Sequence, residues 1–535
     1  MKLLYVLVFS VFMVPFLLGC SSKKQPQKAQ KPNVILIIAD DLGYADLSFQ
    51  KHSPADVKTP SLDRLRKAGA YFSNAYATAP ICSPARAGLS TGRYQQRWGN
   101  YWYNSGGLTL DEKTIAHYLK DLGYVTKKIG KTHLNGGPAE FPLDHGFDEY
   151  LGFESHTWDY IRLTKKDREV LEKRAGKKNI WRDKSSSMGP LTRGRNEKVE
   201  YKKGFTTEIF TDEAVEYIKR DHKGKPFFIQ LEHNAVHMPT YVCDPDYAAK
   251  FGIKDPKWDP DNPIWGFPYW DPKKETWKVW HKKWGHLGAV DPQGRKRYLS
   301  HLAAMDDSLG RIMDELKKAG KLENTIVIFT SDNGGTINTY SDNTPLSGYK
   351  YMLGEGGIRL PMLISWQGKV KANITVDALS STMDLLPTII DLVGGVKGKN
   401  LDGKSAIAEL TGKGKFKGHT HLVWSKGDGN PKDLASGMWV IRSGDWKLCH
   451  NAGWTHLNFK MVNGKCVRDK EYVYADGIRL YNLKDDIGEK KDLSKKHPEK
   501  VAELTKLYKA WRKQMPPMLR GNKRLKYTRD WKGNK

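Results

Sequence analysis

The segment Asn33–Ala39 has the sequence NVILIIA and is followed directly by Asp40 and Asp41. A short, continuous apolar run rich in β-branched residues predicts a strand that is buried on both faces. Two carboxylates at the end of such a strand are costly to bury unless they are paired or bind a metal. Because open α/β sheets bind ligands outside the carboxyl ends of their strands, this segment also predicts where a site would lie.

The same pattern, a buried strand that ends in a polar cluster, recurs farther along the chain. Further strands are predicted at Tyr124–Ile129, Pro226–Leu231, Thr325–Thr330 and Leu360–Trp366. Helices are predicted over Ser61–Ala70 (with Ser61 as the cap), Thr114–Leu122, Tyr298–Gly320 and Ser381–Leu392. Strands that alternate with helices predict an α/β fold with a mostly parallel, doubly wound sheet.

The composition changes after Gly394, where Gly and Lys crowd residues 394–418. Beyond this segment we expect short strands near residues 420–424, 438–442, 446–450 and 479–483 and a closing amphipathic helix over Pro498–Met515. The change predicts a main domain over residues 32–395 and a smaller C-terminal α+β subdomain over residues 396–535, with a short antiparallel sheet and a helix.

The start of the chain has the pattern of an export signal. An apolar run over Leu3–Leu18 is too short for a membrane span, and Leu17-Leu18-Gly19-Cys20 looks like a bacterial lipobox. We expect a lipoprotein signal peptide over residues 1–19, lipidation of Cys20, and a flexible tether over residues 20–31. The alternative is an ordinary signal peptide with an incidental cysteine. Ser21 favours the outer membrane or periplasm as the location of the anchored protein.

The chain is strongly basic, with a formal net charge of +28. Nucleic acid, an anionic membrane and an acidic polymer are the partner classes that such a charge suits. Export argues against nucleic acid, and no helix-turn-helix, zinc-finger or RNA-binding signature occurs. An acidic polymer is therefore the favoured partner, and a basic surface that aids solubility or lipid contact is the alternative.

Four oxygen-bearing side chains follow two of the predicted strands: Asp40, Asp41, Asp332 and Asn333. Taken singly, each is explained by a cap or a turn. Together, at two strand ends, they suit Ca²⁺ or Mg²⁺ better than zinc, because these hard cations prefer oxygen ligands.

The segment Cys82–Arg93 reads CSPARAGLSTGR, that is Cys-x-Pro-x-Arg, a short apolar turn, and Thr-Gly-Arg. A lone cysteine in this setting has neither disulfide nor zinc spacing. The segment resembles the signature of type I sulfatases, in which the cysteine is oxidised to formylglycine (3-oxoalanine) before folding. The resemblance implies an alkaline-phosphatase-like fold, a maturation enzyme that acts on Cys82, and one calcium ion held by Asp40, Asp41, Asp332, Asn333 and the modified residue 82.

Further segments are similar to blocks of that family, namely Gly130–Leu134, Asn234–Pro239, Asn343–Lys350, Glu355–Pro361, Arg442–Leu448 and Leu480–Glu489. The resemblance implies that Arg86 holds the hydrated aldehyde and that Lys131 bridges it to the sulfate. It implies that His133 contacts the hydrate and that Lys350 grips the sulfate. His237 or Lys350 would supply a proton to the leaving group.

A tryptophan- and lysine-rich insertion lies at about residues 241–295. Aromatic faces and lysines suit stacking on sugars and pairing with sulfates, although a small hydrophobic core is an equal alternative. Tentative substrate contacts are His156, Arg162, Trp265 and Trp270, and Tyr101-Trp102-Tyr103 are further candidates.

We therefore expect a sulfuric ester hydrolase that acts on a sulfated carbohydrate. A marine algal polysaccharide (ulvan, carrageenan or fucan) or its oligosaccharides comes first, and a glycosaminoglycan second. A phosphoesterase or phosphonate hydrolase of the same fold is the rival enzyme, and a polysaccharide-binding lipoprotein with a dead site is the rival of another class. Neither rival needs formylglycine.

Overall fold

A computed structural model describes residues 30–102, 105, 107–134, 141–153, 160, 191–199, 201, 204–238, 240, 243–253, 293–427, 433, 435–452, 459–462, 465–468 and 477–519. The described residues from Pro32 onward belong to one compact unit. In these ranges no helix has the length and apolarity that a membrane span requires. Cys20 and the predicted signal peptide lie outside the described residues.

The strands, in chain order, are β1 Asn33–Ala39, β2 Ala70–Phe72, β3 Ala75–Tyr76, β4 Val125–Lys131, β5 Glu149–Phe153, β6 Leu191–Arg193, β7 Glu197–Val199, β8 Phe227–Glu232, β9 Thr325–Ser331, β10 Arg359–Leu360, β11 Met362–Ser365, β12 Ile374–Val376, β13 Ser380–Ser381, β14 His421–Ser425, β15 Trp439–Ser443, β16 Trp446–His450, β17 Phe459–Val462, β18 Lys465–Arg468 and β19 Ile478–Asn482. The α-helices are α1 Pro60–Ala68, α2 Cys82–Thr91, α3 Ile115–Asp121, α4 Thr206–Lys219, α5 Pro245–Lys250, α6 Gly294–Lys318, α7 Glu355–Ile358, α8 Leu385–Leu392, α9 Ile407–Leu410 and α10 Pro498–Lys513.

A ten-stranded sheet forms the centre of the molecule, with the strand order β12-β2-β11-β9-β1-β8-β4-β5-β6-β7. Its middle five strands, β9 to β5 in that order, are all parallel, and antiparallel strands follow at both sides. This confirms the predicted mixed, mostly parallel sheet. The carboxyl ends of β9, β1, β8 and β4 therefore meet at one edge.

Strand β1 is central because both of its faces are apolar. Ile35, Ile37 and Ala39 pack into one hydrophobic core with helices α4 and α6. Val34, Leu36 and Ile38 pack into a second core with helices α3 and α8. Successive side chains of a strand point to opposite faces, so one uninterrupted apolar run supplies both cores.

A separate four-stranded antiparallel sheet, β14-β15-β16-β19, lies toward the C-terminus and confirms the predicted short antiparallel sheet. Helix α10 buries Leu504, Tyr508 and Trp511 in the core that this sheet shares. The ring of Tyr508 stacks on Trp439 of β15 with 4.0 Å between ring centroids. The division of the chain at residue 395 stays a prediction.

Three predicted elements differ in detail. Helix α1 begins at Pro60, so Thr59 and not Ser61 is its capping residue. The predicted strand Leu360–Trp366 is two strands in different sheets, because Pro361 has no N–H group to continue a ladder. The predicted turn after Arg86 is helical, since α2 runs without a break from Cys82 to Thr91.

Candidate active site

The predicted site residues meet at the carboxyl edge of the parallel strands. Asp40 and Asp41 follow β1, while Asp332 and Asn333 follow β9, and the register aligns Ala39 with Ser331 directly before them. Lys131 is the last residue of β4, which lies two strands from β1 in the sheet. The pairing order of the strands thus brings together side chains that are almost 300 positions apart in the sequence.

Cys82 lies at the centre of this edge. It is the first residue of helix α2 and is completely buried. Its Sγ atom lies 3.5 Å from Asp40 Oδ1 and 3.8 Å from Asp41 Oδ1. Lys131 Nζ lies 3.9 Å from the same sulfur. The thiol therefore stands between two carboxylates and an ammonium group.

Three side chains of the site contact the carboxylate of Asp41. Lys350 Nζ donates to Asp41 Oδ1 at 2.8 Å and to Oδ2 at 2.9 Å. Asn333 Nδ2 donates to Asp41 Oδ1 at 2.7 Å, and His237 Nε2 lies 3.5 Å from Oδ2. The backbone of Asp41 has a φ of 60°, a left-handed conformation that is uncommon for residues other than glycine and clusters at functional sites.

Arg86 lies one helical turn after Cys82 and contacts carboxylates of the site. Its Nε atom donates to Asp332 Oδ2 at 2.9 Å, and its Nη2 atom lies 3.4 Å from Asp40 Oδ1. Its Nη1 atom donates to Glu232. Arg86 is therefore held by three carboxylates from three strand ends.

Two residues of this network were not predicted from the sequence, Glu232 and Lys128. Glu232 ends β8 and accepts hydrogen bonds from Arg86, Lys128 and Gln230. Burial lowers the pKa of Lys128 to about 8, although Glu232 opposes this. The sequence indicates only that charged residues on buried strands need partners, and it does not show which strand supplies the partner.

The described residues fit a divalent cation. Ligand atoms of Asp40, Asp41, Cys82 and His237 all lie within 4.8 Å of one another. Asn333 Oδ1 is buried and has no hydrogen-bond partner among the described residues. A buried amide oxygen without a partner is costly unless something binds it, and a hard cation is the kind of group that takes carboxylate and amide oxygens.

The electrostatics of the site depend on burial. Burial lowers the pKa of His237 well below its usual value, and the charges of Lys350 and Lys131 lower it further. Burial also raises the pKa of the Cys82 thiol well above its usual value, and the charge of Asp332 adds to the effect. In Lys350, burial lowers the pKa, but Asp41 and other nearby acidic groups together outweigh burial, so the pKa is raised and the ammonium stays charged.

The remaining predicted residues fall into two groups. His133 follows β4 and is buried, with a φ of 43°. His156, Arg162, Trp265 and Trp270 lie outside the described residues. Tyr101 is described and is 1% exposed, and its hydroxyl donates to Pro516 O at 2.7 Å. The structure places Tyr101 in the core of the C-terminal sheet, where it offers no face to a sugar.

Comparisons with known proteins agree with this geometry. The family model for sulfatases matches residues 32–396. Human N-acetylgalactosamine-6-sulfatase is 30% identical over 393 residues, which are 70% of this chain and 64% of the human protein. The chain thus spans slightly less than two thirds of that relative. An N-acetylgalactosamine-6-O-sulfatase of Bacteroides thetaiotaomicron is 28% identical over 92% of this chain and 96% of its own length.

A solved structure extends the agreement to most of the chain. The protein Ps i-CgsB in complex with k-i-k-neocarrahexaose superposes with a TM-score of 0.69 at 27% identity, covering 95% of this chain and 98% of that chain. The predicted alkaline-phosphatase-like fold, with its large mixed sheet and smaller antiparallel sheet, is therefore confirmed. With the family model covering most of the main sheet, the chain belongs to the sulfatase family, a family of sulfuric ester hydrolases.

Proposed function

We propose that this protein hydrolyses sulfate esters of a sulfated carbohydrate, with residue 82 acting as formylglycine. The observation that carries the proposal is the position of Cys82, whose sulfur lies within 4 Å of two carboxylates and Lys131 at the carboxyl edge of the sheet. This is where the fold places ligands, and the surrounding charges suit an anionic group beside a bound cation.

The thiol itself is a poor candidate for the nucleophile. Thiolates, not thiols, attack electrophiles, and burial with Asp332 nearby raises the pKa of Cys82. An aldehyde hydrate at this position would supply an attacking hydroxyl and a second hydroxyl whose deprotonation releases sulfate and restores the aldehyde. A bound calcium ion would lower the pKa of such a hydroxyl and neutralise the sulfate.

The chain's own cations orient the sulfate and offset its charge. Lys131 forms an ion pair with Asp40, and Lys350 forms one with Asp41, so both ammonium groups lie at the carboxylates around residue 82. Ion pairs with carboxylates hold Arg86 in place, so its positive charge has a fixed position in the site. Such preorganised charges stabilise negative charge that shifts from the sulfate group to the leaving oxygen in the transition state.

Groups next to the carboxylate cluster carry out the proton transfers. His237 Nδ1 lies 2.6 Å from the carbonyl oxygen of Met238, which orients the ring and leaves Nε2 directed at Asp41. We assign the leaving-group proton to Lys350, whose ammonium stays charged, or to His237 once it has taken up a proton, and deprotonation of the second hydroxyl to His133. Positioned groups of this kind typically contribute 10²–10⁴-fold to a rate.

The substrate class rests on the basic charge of the chain and on its relatives. The net charge of +28 suits a polyanion. One structural neighbour was solved with a neocarrahexaose, and two relatives are N-acetylgalactosamine sulfatases. We propose an algal sulfated polysaccharide, or its oligosaccharides, as the first candidate and a glycosaminoglycan as the second. We further propose that the chain is exported and anchored through lipidated Cys20 in the outer membrane or periplasm.

Peptide mass spectrometry of the tryptic fragment that contains residue 82 tests the central step. In protein expressed with a maturation enzyme, conversion of Cys82 to formylglycine lowers the fragment mass by about 18 Da. Sulfate release from carrageenan, fucan, ulvan and chondroitin oligosaccharides by the same sample would assign the polymer. An unmodified Cys82, in a preparation where a control sulfatase is converted, would overturn the mechanism and favour the phosphoesterase or binding alternatives.

A further inference from the structure

Three sequence blocks that the active site does not use meet in one buried cluster. They contribute Glu355 at the start of α7, Lys447 on β16, and Glu489 after β19. Lys447 Nζ lies 2.9 Å from Glu355 Oε1 and 2.7 Å from Glu489 Oε1, and both side chains of the Lys447–Glu355 pair are completely buried. A residue of the main sheet region is thus joined to two residues of the C-terminal sheet region.

Glu489 has a second set of contacts, which lie on the segment that carries Lys350. Its Oε2 atom accepts hydrogen bonds from the Ser347 hydroxyl and from the Glu355 amide, the latter at 2.7 Å. Ser347 and Glu355 stand on either side of Lys350 in the sequence. One carboxylate oxygen therefore closes the loop Ser347–Glu355 at both ends.

Other hydrogen bonds hold the same loop in place. Leu353 N donates to Ala452 O, just after β16, at 3.3 Å. Directly after the loop, Gly356 N donates to Ser347 O at 2.7 Å. The amide of Lys350 donates to Gly335 O at 3.0 Å, close to Asn333 of the site. The loop is thus held between the carboxyl edge of the sheet and residues that follow β16 and β19.

We propose that Glu489, fixed by Lys447, is a positioning residue for Lys350. Through its closure of the loop Ser347–Glu355, it sets where the Lys350 ammonium lies relative to Asp41 and residue 82. The inference rests on the proposed function in one respect, the role of Lys350 in binding sulfate. It adds that residues of the C-terminal sheet region, which contact no reacting atom, determine the geometry of that step.

The physical argument is the sensitivity of catalysis to small displacements. Lys350 Nζ contacts both oxygens of Asp41, a geometry that a shift of the loop by a fraction of an ångström would change. A misplacement of about 1 Å at a reacting group can lower a rate by roughly 100-fold. A carboxylate fixed by a buried lysine is a stiff support for such a loop, because neither partner can leave without exposing an unpaired charge.

The test uses two variants in the full chain with formylglycine in place, Ser347→Ala and Glu489→Gln. The substrate is 4-nitrophenyl sulfate, which avoids any assumption about the carbohydrate, and inorganic sulfate is the competitive inhibitor. We expect each variant to lower kcat/KM about tenfold and to weaken inhibition by sulfate, while Ser347→Ala leaves the melting temperature nearly unchanged. Ser347→Ala keeps the test valid if Glu489→Gln fails to fold.

The same two substitutions are then made in a Lys350→Ala background. If Glu489 acts through Lys350, they have no further effect on kcat/KM there, because contacting residues that act as a unit are not additive. Equal losses in both backgrounds would overturn the proposal. So would a lower melting temperature with wild-type turnover by the folded enzyme, which is what a purely structural cluster gives.

Two matched controls separate the loop from general stability. Ser443→Ala removes a serine hydroxyl that donates to Thr420 O at 3.0 Å on the C-terminal sheet, with no contact to the loop. Lys127→Met removes another buried lysine that bridges two carboxylates, Glu149 at 2.9 Å and Glu213 at 2.5 Å. Both should retain wild-type kcat/KM. A wild-type Lys350→Ala enzyme would instead refute the role of Lys350 itself, which identifies a failure of the proposed function separately.

Discussion

Two buried clusters of charged residues in this protein use nearly the same side chains and differ in how completely they are paired. In the cluster around Glu355, Lys447 bridges two carboxylates and Glu355 Oε2 accepts from the Tyr76 hydroxyl at 2.5 Å. In the cluster around Cys82, three aspartates lie close together; burial raises the pKa of Asp332, and the charge of Asp40 adds to this although Arg86 opposes it. Asn333 Oδ1 has no hydrogen-bond partner among the described residues.

This difference separates a structural ion network from a reactive one. Burial by itself does not, because both clusters are equally inaccessible to solvent. A network whose carboxylate oxygens all have partners stabilises one geometry, whereas a buried oxygen without a partner among the described residues leaves a place for a ligand. The pKa of Glu355, which burial raises but Lys447 and two arginines lower to about 2, fits the first description.

The largest expected effect is on catalysis at Cys82. Cys82→Ala should lower kcat/KM by at least about a thousandfold, since removing a nucleophile leaves only binding and charge stabilisation. Sulfate release from 4-nitrophenyl sulfate measures it. Cys449→Ala, at a buried cysteine of the C-terminal sheet, should retain activity, and an active Cys82→Ala enzyme would contradict the proposed site.

Substitution of Glu355 should lower the stability of the protein, beside any effect on turnover that is transmitted through the loop Ser347–Glu355. Glu355→Gln leaves Lys447 with one carboxylate fewer in a buried site, and breaking a buried pair costs about 3–5 kcal/mol. Urea unfolding measures the loss. A Glu355→Gln variant as stable as the parent would remove the distinction between the two clusters.

Removal of divalent ions should act on the Cys82 cluster alone. A ligand present at 100 times its Kd stabilises a protein by about 2.7 kcal/mol, so we expect chelation to lower the melting temperature and abolish activity, and Ca²⁺ to restore both. In Asp41→Asn, calcium should no longer raise the melting temperature. Glu355→Gln serves as the matched variant, in which the calcium-dependent shift should persist.

The smallest expected effect is the pH dependence of stability that comes from His233, a buried histidine that is uncharged in the folded protein. Burial lowers the pKa of His233 to about 3, and its Nε2 atom lies 3.0 Å from Ser308 Oγ. As the pH falls below 6.5, the unfolded chain binds a proton at this histidine and the folded chain does not, so stability decreases. The decrease amounts to about 1.4 kcal/mol per pH unit and ends near pH 3, where the folded state also binds the proton.

Urea unfolding at pH 6.5 and pH 5 tests this, because the contribution of His233 over that interval is about 2 kcal/mol. His233→Gln should lose that part of the pH dependence, and His52→Gln, at an exposed position, should keep it. An unchanged slope in His233→Gln would mean that His233 does not remain neutral in the folded protein.

The sequence predicted the sheet well because the apolar runs of its parallel strands are continuous. The bounds of β1 agree residue for residue, and those of β8 and β9 differ by one residue. The helix predicted over Tyr298–Gly320 is also present, as α6 over Gly294–Lys318.

The polar part of the site was harder to predict. Asp40, Asp41, Asp332 and Asn333 were recognisable because they follow apolar strands. Glu232 and Lys128 were not, because their role depends on which strands are neighbours, and pairing order is a property of the whole sheet. The helix at Cys82 was missed because Pro84 and Gly88 suggest a turn, although proline is tolerated in the first turn of a helix.

The central place of β1 has a consequence for the order of events during synthesis. Both neighbours of β1 are made later, β8 from residue 227 and β9 from residue 325. Until β9 leaves the ribosome, the pocket around Cys82 lacks one wall, so the cysteine would be more accessible than in the folded protein. About 250 residues separate Cys82 from the end of β9, and synthesis of this stretch takes roughly 10–50 s at ~5–20 residues per second. If residue 82 is modified as proposed, strand order would give the modifying enzyme a time window that closes when the sheet is complete.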